Sequence, residues 1–156
     1  HKFHGGDITK GGKVARTWLT GLRLPLKDIN AVCHIVDNVS FKGNAVKSGM
    51  KSIEGKIVQD ADRLDALGAI GIARAFAYGG YRKRPLYDPQ GKTRMHKSFA
   101  EYKKGYGDST IHHFYEKLLH LKNAMNTKTG KSLARKRHVV MERYLQEFFR
   151  EWKGIA

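Results

Sequence analysis

The closing segment constrains this chain most. Leu133, Val140, Met141, Tyr144, Leu145, Phe148, Phe149 and Trp152 recur at i, i+3 and i+4, the spacing that gathers apolar side chains on one face of a helix. Such a helix needs apolar partners, and the sequence supplies them at the same period. A first follows Asp7, a suitable N-cap, with Ile8, Val14, Ala15, Trp18, Leu19 and Leu22, and is interrupted by Pro25. A second follows Asp28 and carries Ile29, Val32, Cys33, Ile35, Val36 and Val39. A third spans 53–77 and stops near Gly79-Gly80. Ser109, with Asp108, can cap a fourth whose Ile111, Phe114, Leu118, Leu121 and Met125 form one stripe; residues 126–130 then read as a turn. Residues 40–52 read as a basic loop, and 81–108, with Pro85 and Pro89, as a long basic loop. The expectation is a single all-α domain over 1–156.

Thirty Lys and Arg against 14 Asp and Glu give a formal charge of +16. Such a surplus suits polyanions, whether nucleic acid, nucleotides or other phosphates, and does not choose among them; basic residues dispersed for solubility would give the same total. Cys33 is the single cysteine, which excludes an intramolecular disulfide and suits a reducing cytoplasm. No apolar run approaches the ~18 residues of a membrane span. No phosphate-binding Walker sequence and no Ser-His-Asp or Cys-His nucleophile set is present.

The third segment carries the candidate chemistry. On a wheel of about 100° per residue, Asp60 and Asp62 point about 160° apart and cannot share one site on a straight helix. Asp60 follows Lys56 by four residues, and an i, i+4 ion pair accounts for it. Asp62 shares its face with Val58, Ala66 and Ala69, with Asp65 one turn on. The helix over 53–77 is expected to be largely buried, and an ionised carboxylate in such surroundings needs a cation or several donors. A basic side chain from another helix would serve, and so would a metal ion. Asp65 can orient a ligand from behind or cap a neighbouring helix end.

The run from Glu54 to Phe76, above all Asp60-Ala-Asp-Arg-Leu-Asp-Ala-Leu-Gly, resembles the late signature of the HD-domain phosphohydrolases, in their small bacterial stand-alone branch. Val32-Cys-His-Ile-Val-Asp-Asn-Val-Ser-Phe-Lys resembles the preceding helix and loop. His113-Phe-Tyr-Glu-Lys-Leu-Leu, Met125-Asn-Thr, and the stretch from Arg137-His to Met141-Glu-Arg-Tyr-Leu resemble the C-terminal helices. The resemblance implies a helical bundle holding a divalent metal (Mn, Mg, Co, Ni or Fe). Its ligands would be a histidine, an adjacent His-Asp pair and a later aspartate, which maps onto Asp62. The metal would activate water to attack phosphorus, with nearby Lys and Arg stabilising the developing charge.

The sequence departs from that pattern in one respect: no histidine in it is followed by aspartate. His1-Lys-Phe-His-Gly-Gly-Asp resembles the stretch that comes just after the His-Asp pair. The resemblance thus implies a bundle incomplete at its N-terminus, lacking about a third of the native protein together with the remaining ligands, so that the fragment by itself would be inactive. Lys2, His4, His34, Lys42 and Arg63 are candidate substrate contacts, each with a flexible end, a packed ring or a solvated charge as the plain alternative. The expected function is hydrolysis of a phosphate ester or phosphoanhydride, of nucleotides in the first place. The rival expectations are a basic nucleic-acid-binding helical module and an inactive interaction domain.

Overall fold

The computed structural model describes residues 9–41, 49–94 and 109–155. These hold six α-helices: α1 (Lys10–Gly21), α2 (Leu26–Asn38), α3 (Ile53–Asp65), α4 (Gly68–Tyr81), α5 (Thr110–Glu116) and α6 (Lys128–Trp152). A 3-10 helix, Leu118–Ala124, joins the last two. The described residues contain no strand, and the class is all-α. The chain divides into two compact units, one of His1–Ser40 with Ser48–Gln59 and the other of Phe41–Lys47 with Asp60–Ala156.

In the first unit, α1 and α2 pack through Leu19, Ile29 and Cys33, with Ala15 against them. Gly12 allows the close approach, because a Cβ there would run into the carboxylate of Asp37. The Cys33 thiol donates to the Gly12 carbonyl at 3.4 Å, as expected of a packed rather than a reactive cysteine. Helix α2 starts at Leu26, just after Pro25, so Asp28 lies in its first turn instead of preceding it. Proline fixes its own φ and has no N–H to leave unsatisfied at a helix entry. The expected N-cap Asp7 lies outside the described residues. Ser52 Oγ accepts from Gly55 N at 3.1 Å at the start of α3, and Gln59 Nε2 donates to the carbonyl of Asn38 at 3.1 Å.

The second unit is built on Leu67, Ile111, Phe114, Leu118, Leu121, Met125, Ala134, Met141 and Leu145. All five residues of the expected 111–125 stripe are buried here. The segment is not one helix, however: Lys117 at φ −137° breaks it, and 3-10 geometry carries the stripe onward. Ser109 caps α5 as expected, accepting from His112 N at 3.3 Å. In α6 the buried face is Gly130, Ala134, His138, Met141 and Leu145. Leu133 and Val140 are about two-fifths exposed, so the true face is rotated toward smaller and polar residues. Tyr87 closes the end of α6, edge-on to Phe148, Phe149 and Trp152 with centroids 5.2–6.2 Å away, an arrangement aromatic quadrupoles favour.

The expected single helix over 53–77 is two helices. It ends at Asp65, and Leu67 turns into the core with extended backbone. Gly68 follows at φ +72°, in the left-handed region where a Cβ costs roughly 1–2 kcal/mol. Arg137 seals the break. Its Nη1 donates to the Leu64 carbonyl at 2.5 Å, and its Cγ would lie 3.1 Å from a Cβ on Gly68.

Candidate functional site

The aspartates of α3 have separated roles. Asp60 is inside the second unit, only 3% exposed. Its Oδ1 accepts from Asn126 N at 2.8 Å and Asn126 Nδ2 at 2.9 Å. Its Oδ2 accepts from Thr127 N and Thr127 Oγ1, both at 2.8 Å. The expected ion pair with Lys56 does not describe this residue; Asp60 fixes the turn that leads into α6. Burial pushes its carboxyl pKa up, but the four donors outweigh burial and hold it below the ordinary aspartate value, as hydrogen bonds to a charged form do. Thr127 extends the chain of contacts, accepting from Gly130 N at 2.9 Å as the N-cap of α6. Gly130 belongs to the same device, since a Cβ there would collide with Asp60 Oδ2.

Arg63 is also interior, 6% exposed, with Nη1 donating to the carbonyl of Ala124. Burial lowers its pKa, while the charges of Asp60 and Asp62 act in the opposite sense. Considered as a phosphate contact in the sequence, Arg63 is placed by the structure as a tie between α3 and the end of the 3-10 helix.

Asp62 is not buried, contrary to the expectation. Two positions beyond Asp60, it projects from the opposite side of α3 and is exposed, as are Ala61, Asp65, Ala69 and Ile70. It forms no hydrogen bond or ion pair with another described residue. Asp65 is ion-paired with Arg74 of α4 at the surface. The buried ties of Asp60 and Arg63 hold the α3 backbone so that the Asp62 carboxylate is presented from a fixed support. A carboxylate held in this way, with no hydrogen bond or ion pair to another described residue, can bind a cation, and local packing does not require it.

His34 is exposed on α2, in the other unit, with Nδ1 3.4 Å from the amide of Asn38. Lys2, His4 and Lys42 lie outside the described residues. Among the described residues no group of three or more His, Cys, Asp or Glu could hold a metal ion. They therefore do not fit a complete metal site: Asp62 offers a single ligand. No helix among them is long and apolar enough to cross a membrane.

The sequence reading missed one polar cluster in the second unit. His138, buried on α6, has Nε2 2.5 Å from Lys122 Nζ and 3.0 Å from Glu142 Oε1. Burial lowers the His138 pKa; Glu142 raises it and Lys122 lowers it further. The i, i+4 spacing of His138 and Glu142 was readable, but the contact with Lys122 depends on the 3-10 turn.

No protein-family model matches the chain. It is 40% identical over 131 residues to the uncharacterized protein YpgQ of Bacillus subtilis (strain 168), a match covering 83% of this chain and 55% of YpgQ. The chain thus spans little more than half of that relative's length. Among solved structures, it is similar to an HD-superfamily hydrolase from Bacillus thuringiensis, with 44% identity and a TM-score of 0.67 over 92% of this chain and 63% of that one. It is likewise similar to Bacillus subtilis YpgQ in complex with ADP, with 35% identity and a TM-score of 0.67 over 93% and 66% of the two chains. Identity at this level, sustained across an all-helical fold that matches in three dimensions, places the chain in the HD-domain superfamily.

Proposed function

We propose that this chain belongs to a metal-dependent phosphohydrolase that cleaves a phosphate ester or phosphoanhydride of a nucleotide, with Asp62 as one ligand of its divalent metal. The observation that carries the reading is the split between neighbouring aspartates. Asp60 is consumed by four donors, whereas Asp62 is exposed and uncommitted on the same short stretch of helix. Membership of the HD superfamily supports the reaction class, and the ADP held by YpgQ supports a nucleotide. The formal charge of +16 suits a phosphorylated substrate. Asp65, ion-paired with Arg74 and one turn beyond Asp62, would steady that face in this reading. A single carboxylate does not build a metal centre, and the resemblance calls for a histidine and a His-Asp pair besides.

The test is hydrolysis of a nucleotide panel by the full-length protein in Mn²⁺, Mg²⁺, Co²⁺ or Ni²⁺, beside an Asp62→Ala variant and with bound metal quantified. The reading expects turnover and metal content to fall together in the variant. Hydrolysis that survives Asp62→Ala would reject Asp62 as a ligand, and salt-sensitive DNA binding without turnover would favour a nucleic-acid-binding module.

A further inference from the structure

We propose that the cavity of about 510 Å³ lined by Lys122, Asn123, Lys131 and Arg135 binds the phosphate chain of a small phosphorylated molecule. It rests on no part of the Asp62 reading. Three cations and one amide converge there, and no carboxylate belongs to the described lining.

Two features separate this cluster from an ordinary solvated basic surface. Lys131 and Arg135 stand at i, i+4 on α6, where like charges repel and destabilise the helix. Neither has an acidic partner among the described residues. Lys122 is held from behind, its Nζ 2.5 Å from His138 Nε2, so its position does not depend on free rotation of a long side chain. Glu142, 3.0 Å from the same nitrogen, does not belong to the described lining. The result is a concave positive site whose self-repulsion an anion would relieve.

Size and donor type narrow the ligand. A cavity in the range of roughly 300–1,000 Å³ accommodates a small organic ligand, which favours a diphosphate or a nucleotide over one inorganic phosphate. Arginine offers a planar fork suited to two oxygens of one phosphoryl group, and lysine acts as a point charge. Duplex nucleic acid is matched by a row of cations along an open surface rather than by a pocket.

The experiment is isothermal titration of the protein with inorganic pyrophosphate in chelator-treated buffer, so that metal-bridged binding does not contribute. Lys131→Gln/Arg135→Gln removes two charges from exposed positions. Lys27→Gln/Lys153→Gln removes the same charge elsewhere, and Asp62→Ala reports on the proposed metal ligand. The proposal expects stoichiometric binding that weakens at least about tenfold, about 1.4 kcal/mol, in the cavity variant, with little change in the other two. It is overturned by undetectable binding to the unaltered protein, by unchanged affinity in the cavity variant, or by equal loss in the charge control. Salt-sensitive binding of random duplex DNA in place of pyrophosphate would also overturn it, identifying a nucleic-acid surface instead.

Discussion

The Asp60 carboxylate lies against Gly130 so closely that no side chain fits between them: a Cβ on Gly130 would collide with Oδ2. The same oxygen accepts from Thr127 Oγ1, which in turn caps the helix that Gly130 helps begin. One buried charge thus ties α3 to the first turn of α6. Gly130→Ala tests this tie. Alanine in a helix ordinarily stabilises relative to glycine by about 0.8–1.0 kcal/mol, whereas overpacking costs about 1–3 kcal/mol. Denaturant unfolding is expected to show net destabilisation; a stabilised variant would mean that the carboxylate moves aside freely.

Asp60→Asn would keep the shape but present an amide nitrogen to donors that need an acceptor. A buried donor left without an acceptor costs roughly 1–3 kcal/mol, more where a charge was involved. The midpoint of urea unfolding should fall accordingly. Asp62→Asn, at an exposed position with no hydrogen bond or ion pair to another described residue, should stay within about 0.5 kcal/mol of the unaltered protein.

Among the described residues, two groups shape the response to acid. The His138 pKa is lowered by burial, against the opposing effect of Glu142, so the folded state binds fewer protons than the unfolded one just below 6.5. Its contribution is present above that value and is lost as pH falls through the lowered folded value. Asp60, held below 3.8 by its donors despite burial, acts in the same sense in a more acidic window. Thermal unfolding across pH should show stability declining first below about 6.5 and again below 3.8. His138→Gln should flatten the first decline, and a profile identical to that of the unaltered protein would remove His138 from the account.

Gly68→Ala addresses the break between α3 and α4. At φ +72°, with Arg137 packed over it, alanine should cost about 1–2 kcal/mol. Arg74→Ala, which removes an exposed partner of Asp65, should cost less than about 1 kcal/mol. Equal losses in the two variants would contradict the distinction between backbone strain and a solvent-screened pair.

Periodicity made the helical class and the core stripe through Ile111, Phe114, Leu118, Leu121 and Met125 legible. It could not show that Lys117 breaks the stripe into two helix types, because i+3 spacing serves α and 3-10 geometry alike. The wheel correctly set Asp60 and Asp62 on different faces but gave them the wrong environments. Asp60 is buried by residues 66 and 67 positions along the chain, Asn126 and Thr127, a pairing that no local spacing encodes. The break at Gly68 was missed because Leu67, apolar and in phase, reads as helix until its burial across the turn is seen. Membership of the HD superfamily was legible in the Asp60–Gly68 run and agrees with the solved relatives.

Asp60 is consumed by the fold, and the proposed function gives the metal to Asp62. The test is nucleotide hydrolysis in Mn²⁺ by the full-length protein carrying Asp62→Asn, paired with its melting temperature. The account predicts an unchanged melting temperature and turnover reduced about 100-fold or more, beyond the effect of losing a partner behind a metal ligand. An Asp62→Asn protein that melts normally and still hydrolyses nucleotide at the unaltered rate would contradict it.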